Sequence, residues 1–232
     1  MKNLIHSFWI FLSLSLSMSV IGQNNCLPNT LGCVDVGITT NTIFIASHPT
    51  CPITLTYDLR ICAGVFQISN IRNVLIPFNQ DCNQLLTELF SAFFSGNPLL
   101  QQTTLSAFNL DLETAIANLI WQQTFNSSLA SGTTGLLRCN GGITLFTVSF
   151  YRSACASFCV GKSVEGGISI TQALCGTACC QKNINFCLDD NGMVQTTESI
   201  AQITPGLCIT SNIPACGEEA WFQSPCFPIC QP

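Results

Sequence analysis

The chain has 232 residues, sixteen of them cysteine, yet only 8% are charged, and its seven Lys and Arg stand against twelve Asp and Glu for a formal charge of −5. So sparse and acidic a charge pattern excludes nucleic acid and anionic membrane as expected partners, because both are held by clustered Lys and Arg. Every cysteine lies beyond residue 25, so the question is what compartment and what scaffold they define.

Residues 1–22 read as a secretory signal: Lys2 supplies a basic start, Phe8 to Ile21 is apolar and Ser-studded, and Val20 with Gly22 offer small or short residues for cleavage near Gly22. The apolar run is shorter than the roughly 20 residues a spanning helix needs, and no other run is long enough. The expected product, residues 23–232, carries six basic side chains (Arg60, Arg72, Arg138, Arg152, Lys162, Lys182) against all twelve acids, a charge of −6. It is expected to be secreted or periplasmic with no transmembrane segment.

Thr42 to Ala46 is β-rich. From Ile53 to Ile61 the chain alternates, with Ile53, Leu55, Tyr57, Leu59 and Ile61 on one face and Thr54, Thr56, Asp58 and Arg60 on the other, the pattern of a half-buried strand. Arg72 to Phe78 is a further β run. Asp81 followed by Gln84 reads as a capping-box start, and Leu85, Leu86, Leu89, Phe90, Phe93 and Phe94 repeat at helical spacing before Gly96 and Pro98. A second helix is expected from near Asp111, with Leu112, Ile116, Leu119 and Ile120 on one stripe. The helices carry only the acids Glu88, Asp111 and Glu113, and packing on the sheet explains their apolar faces better than a lipid cavity does.

A linker is read at Gly132 to Gly135, followed by strands at Ile143 to Arg152 and Ile168 to Ile170. Asn183 to Leu188 and Met193 to Thr197 flank Asp190-Asn191-Gly192, a hairpin signal. Residues 205–232 combine Pro205, Pro214, Pro225 and Pro228 with four cysteines and are expected to be an irregular tail clamped to the body. The expected fold is one disulfide-rich α+β domain over 23–232: an antiparallel sheet or sandwich with residues 81–130 as a helical insertion. The runner-up is two small domains meeting near residue 135.

An even cysteine count in an exported chain reads as a disulfide framework, with roughly two million connectivities for sixteen thiols. Five cysteines (Cys26, Cys33, Cys51, Cys62, Cys82) precede the helical segment and eleven (Cys139, Cys155, Cys159, Cys175, Cys179, Cys180, Cys187, Cys208, Cys216, Cys226, Cys230) follow it. If all pair within the chain, parity requires at least one bridge across the two sets. Cys179 and Cys180 are adjacent, and on a strand would point to opposite faces and reach different partners. The C-x3-C spacings lack the matching pairs or histidines of a zinc site, and no C-x-x-C redox motif is present. No cofactor or metal is expected.

His48 is the only histidine after the signal, in a Ser-His-Pro-Thr turn, and is read as an exposed loop residue rather than a catalytic base. No G-x-S-x-G elbow is present. The doublets Asp189-Asp190 and Glu218-Glu219 could serve a carboxylate hydrolase, but loop positions favour plain solvation. The Asp189 to Gly192 turn lacks the alternating ligands and closing Glu of a calcium loop. Asn126-Ser127-Ser128 matches the glycosylation sequon. No catalytic residue is therefore assigned.

The order of Cys51 to Cys62, the helical middle, Tyr151 to Cys159, Cys175-Gly-Thr-Ala-Cys179-Cys180 and Pro225-Cys226-Phe-Pro-Ile-Cys230 resembles a group of uncharacterised secreted cysteine-rich bacterial proteins. That resemblance implies export and carries no activity. The expected function is non-enzymatic: a binding or surface protein for an unknown extracellular or cell-surface component. The alternatives are a carrier of an apolar small molecule in the helical pair, or a carboxylate hydrolase.

Overall fold

A computed structural model describes residues 26–28, 31–131, 138–139, 146–204, 206–208 and 213–230. The signal segment with its cleavage point, the Gly132 to Gly135 linker, residues 143–145 and Pro205 lie outside them.

The chain begins with a meander of β1 (Cys33–Ile45), β2 (His48–Cys62) and β3 (Val65–Pro77). The alternation around Ile53 to Ile61 is the centre of β2, with Ile53, Leu55 and Tyr57 buried. The β2–β3 turn is the two residues Ala63 and Gly64, both at positive φ (48° and 82°), which gives a hairpin turn the twist its strands require. A 3-10 turn (Gln80–Cys82) then leads into α1 (Asn83–Phe94), and α2 (Pro98–Ala130) follows.

Both helix starts differ from the sequence expectation. Asn79, not Asp81, caps the 3-10 turn by accepting the Cys82 N–H, and Gln84 reaches Glu88 instead of its own helix start. Pro98 ends nothing: it is the first residue of α2, with Asn97 as the cap accepting the N–H groups of Leu99 and Leu100. The second helix thus starts thirteen residues before Asp111. Its buried stripe is intact (Gln101, Leu105, Phe108, Leu112, Ile116, Ile120), but Gln101, Asn109 and Glu113 make it partly polar, which hides its first half from hydrophobic periodicity.

Beyond the helices come β4 (Phe146–Ser153), β5 (Cys155–Lys162), β6 (Gly167–Leu174), β7 (Cys179–Leu188) and β8 (Val194–Thr204). The tail, expected to be irregular, contributes two short strands, β9 (Ala220–Gln223) and β10 (Phe227–Pro228), both paired with β5. The expected hairpin joins β7 to β8 through Asp189 to Met193.

All the strands among the described residues belong to one ten-stranded sheet. Its pairs are antiparallel except β3 with β4, and the chain between those two strands carries both helices, as a parallel pair demands a crossover. The helices cover one face of the sheet. Leu85, Leu89, Leu105, Phe108, Leu112 and Ile116 pack with Ile43, Ile53, Ile68, Val148, Ile184 and Phe186 in the main core, and Trp121 stacks on Phe186 at 5.3 Å.

The sheet divides at β3. One edge of β3 pairs with β2; the other pairs with β4 over Phe66 to Ser69 and with β6 over Val74 to Pro77. Between these stretches Asn70 and Asn73 sit at φ of 50° and 51°. Asn tolerates this left-handed region better than other side-chain-bearing residues, so the two asparagines bend the strand where it changes partners. Gly167 completes the switch, because a Cβ there would overlap the Ile76 carbonyl.

All sixteen cysteines are paired. Cys33–Cys62 and Cys51–Cys82 lie within the first set, and Cys26–Cys179 alone crosses to the second. Cys139–Cys187 ties the chain after the helices to β7. Cys155–Cys208, Cys159–Cys216, Cys175–Cys226 and Cys180–Cys230 clamp the tail to β5, β7 and the segment between β6 and β7. The adjacent Cys179 and Cys180 reach different partners. Such a framework belongs to an oxidising compartment. Among the described residues no helix is long and apolar enough to cross a membrane.

Candidate functional site

The fork in the sheet opens a cleft of about 1,060 Å³. The β3 bend from Ile68 to Arg72 forms one wall, and the ends of β4 (Phe150 to Arg152) and β6 (Gln172, Leu174) form the opposing ones. Asn109 and Glu113 of α2 line it from the helical layer, while Asp58 to Arg60 of β2 and Leu27 and Pro28 of the N-terminal segment contribute further lining. Its size falls at the upper end of small-ligand sites.

Arg60, Arg72 and Arg152, three of the chain's seven Lys and Arg, meet here, and Asp35, Asp58 and Glu113 balance them in number. Asp58 accepts from Arg72 Nη2 and from Asn70 Nδ2, both at 2.6 Å, so the strand bend and the charge pair are one structure. Asp35 accepts the Gly37 N–H at 2.9 Å within a β1 bulge. Arg60 donates from Nε to Gln67 Oε1 and from Nη2 to the Pro28 carbonyl, each at 2.7 Å. Among the described residues no carboxylate lies within ion-pair distance of Arg60. Of the three cleft arginines it alone makes no ion pair among the described residues, although Asp35 stands opposite it in the β1–β2 register. Burial raises the Tyr151 hydroxyl pKa, and the Arg60 charge draws it back.

Behind Arg152 runs a chain of alternating charge, buried as far as Lys182 and ending at exposed Glu198. Arg152 Nη1 donates to Glu113 Oε1 at 2.6 Å; Glu113 Oε2 lies 3.8 Å from Lys182 Nζ, which lies 3.1 Å from Glu198 Oε2 on β8. Glu113 and Lys182 are 1% and 0% exposed. Burial pushes the Glu113 carboxyl above its usual range, while Arg152 and Lys182 pull it down. Asn109 also donates to Glu113 and accepts from Gln172 at 2.7 Å, so α2, β4, β6 and β7 are held in register around the cleft.

His48 is not the exposed loop residue expected: it is buried at the start of β2, beside a smaller cavity of about 370 Å³ between the β1–β2 turn and the helices. His48 Nδ1 is 3.0 Å from Ser47 Oγ, Ser47 donates to Asp111 Oδ2 at 2.6 Å, and His48 Nε2 is 3.4 Å from Glu88 Oε2. Ser47 has one hydroxyl proton and gives it to Asp111, so it accepts from His48. Activation of a serine nucleophile needs the opposite direction, with the base accepting from the hydroxyl. The cluster clamps the turn to α1 and α2.

The acidic doublets do not enter the cleft. Asp189 closes the β7–β8 turn, accepting the N–H groups of Met193 and Asn191, and Glu218 and Glu219 are exposed in the tail. Asn126 is exposed on α2. Among the described residues no three His, Cys, Asp or Glu are grouped to hold a metal ion. The cleft arginines escaped sequence reading because their shared site depends on the fork. The trace available was Asp58 and Arg60 on the polar face of an otherwise Thr-lined strand.

No protein family matches the chain, and neither does any curated protein or solved structure.

Proposed function

We propose that this chain is a secreted binding module whose cleft takes a hydroxyl-rich ligand, a short stretch of extracellular glycan bearing an acidic group. The observation that carries this reading is the convergence of three arginines in a cleft braced by disulfides, two of them held in close ion pairs by Asp58 and Glu113 and the third in none among the described residues. The part-exposed Arg72–Asp58 pair offers a fixed donor beside a fixed acceptor, the arrangement that vicinal hydroxyls match, while buried Glu113 holds Arg152 in place and Arg60 supplies a planar donor for a carboxylate or sulfate. Pre-organisation by the strand fork and its cross-links lowers the ordering cost of binding. An apolar carrier would have to open the helical pair, whose inner faces are filled by the main core.

Immobilised acidic and neutral polysaccharides test this reading with the disulfide-intact protein. Retention is expected to survive chelators, vanish on reduction, and weaken at least tenfold in Arg60→Gln, with the acidic glycans most affected. Equal retention of Arg60→Gln, or no retention of the folded protein on any glycan, would refute it.

A further inference from the structure

β1 is an end of the sheet: it pairs with β2 alone, and among the described residues its outer edge has no hydrogen-bonding partner. Natural edges of this kind are blunted by Lys, Pro, bulges or short length. β1 has thirteen residues with no Lys, Arg or Pro, and its bulge at Asp35 to Gly37 lies near one end. From Ile38 to Ile45 it has no bulge of its own, since the extra residues opposite Ile43 to Ile45 belong to β2. Its outward side chains include Ile38 and Phe44, 71% and 55% exposed, with Thr40 and Thr42 between them.

This edge complements itself. If two copies lie antiparallel about Asn41, Ile38 of each faces Phe44 of the other and Thr40 faces Thr42, so apolar meets apolar and hydroxyl meets hydroxyl. Aromatic–β-branched and Thr–Thr pairs are favourable cross-strand neighbours, and a two-fold interface requires this kind of self-match. Antiparallel pairing is also the more stable arrangement per residue. β8, also paired on one edge only, carries Glu198 and exposes Val194 and Ile203 less fully, at 46% and 41%.

We propose that β1 pairs with the β1 of a second copy, antiparallel and centred on Asn41, joining two sheets into one. The interface does not rest on the glycan reading, although Ile38 at its end also lines the cleft.

Light scattering after size exclusion, from 1 to 100 µM in order of magnitude as suits a reversible dimer, measures the mass of the disulfide-intact protein. Wild type is expected at twice the chain mass at the upper end. The double variant T40K/T42K, which sets Lys against Lys across the axis, is expected to weaken association at least tenfold, and T40K/T42E to restore it by setting Lys against Glu. Thr40 and Thr42 are exposed and touch only Thr56 and Thr54 among their hydrogen-bond partners, so both variants should fold, as intact disulfide mass and circular dichroism will show. Hydrogen exchange should show concentration-dependent protection of residues 38–44. A single-chain mass at every concentration overturns the proposal, as does a dimer indifferent to T40K/T42K, which would place the contact at β8 or elsewhere. Failure of T40K/T42E to restore association overturns the Asn41-centred register.

Discussion

The bridge Cys26–Cys179 should be the most stabilising single cross-link, and C26A/C179A tests why. It spans 153 residues, and loop closure of that length is worth about 5 kcal/mol. Other bridges lie inside the loop and shorten the covalent path around it, which lowers the expectation to about 4.5 kcal/mol. Cys33–Cys62 spans only 29 residues, for which the same relation gives about 3.5 kcal/mol. Guanidinium unfolding without reductant, followed by fluorescence of Trp121 and Trp221, would read these losses. With a slope of about 4 to 5 kcal/mol/M, the midpoint should fall by about 1 M in C26A/C179A and by less in C33A/C62A. Intact mass must first confirm that the other bridges formed. If C26A/C179A loses less than C33A/C62A, restriction of the unfolded chain does not govern stability here.

Glu113 should give stability a particular pH slope. Burial holds its folded pKa above the ordinary 4.5, so the folded state keeps this proton to higher pH than the unfolded chain. Its stabilising contribution is complete below 4.5 and is lost as pH rises through the folded value; E113Q should lack that slope, and urea midpoints from acid to neutral pH would show identical profiles if the reasoning fails. Asp189 works with the opposite sign: hydrogen bonds from the Met193 N–H, Gln195 and the Asn191 N–H outweigh desolvation and lower its pKa from 3.8, so what it adds to the β7–β8 turn is present above 3.8 and lost below, and D189A should make acid fraying of that hairpin, read by amide exchange, independent of pH. At Asn73, with φ of 51°, Asn73→Ala should cost about 1 kcal/mol and Asn73→Gly less, because only glycine adopts that conformation freely; equal midpoints for the two would remove the bend as a source of strain.

The sequence was most readable where one face of an element is wet. The alternation from Ile53 to Ile61 located β2, and the Leu and Phe spacing located α1. β5 was missed because seven of its eight residues are buried, leaving no alternation to detect. The early part of α2 was missed because Gln101 and Asn109 occupy buried stripe positions through hydrogen bonds rather than hydrophobicity. The parity of the cysteines required a crossing bridge, but only the fold identifies it as Cys26–Cys179. The cleft was least legible: Arg152 lies eighty residues beyond Arg72 along the chain, and a strand that changes partners midway leaves no periodic signature. Two asparagines within Ser69 to Val74 mark the bend locally, as Asp58 and Arg60 mark the polar face of β2.

The tail bridges have a consequence for how this protein can be made. Cys155, Cys159, Cys175 and Cys180 pair in the same order with Cys208, Cys216, Cys226 and Cys230. None of the four can close until the last stretch of chain has arrived. An oxidant that joins cysteines as they emerge would link Cys155 with Cys159 and Cys175 with Cys179, trapping a mispaired chain. Correct pairing therefore calls for a disulfide isomerase that reopens early bonds, and a host lacking one should yield protein of the right mass with the wrong links.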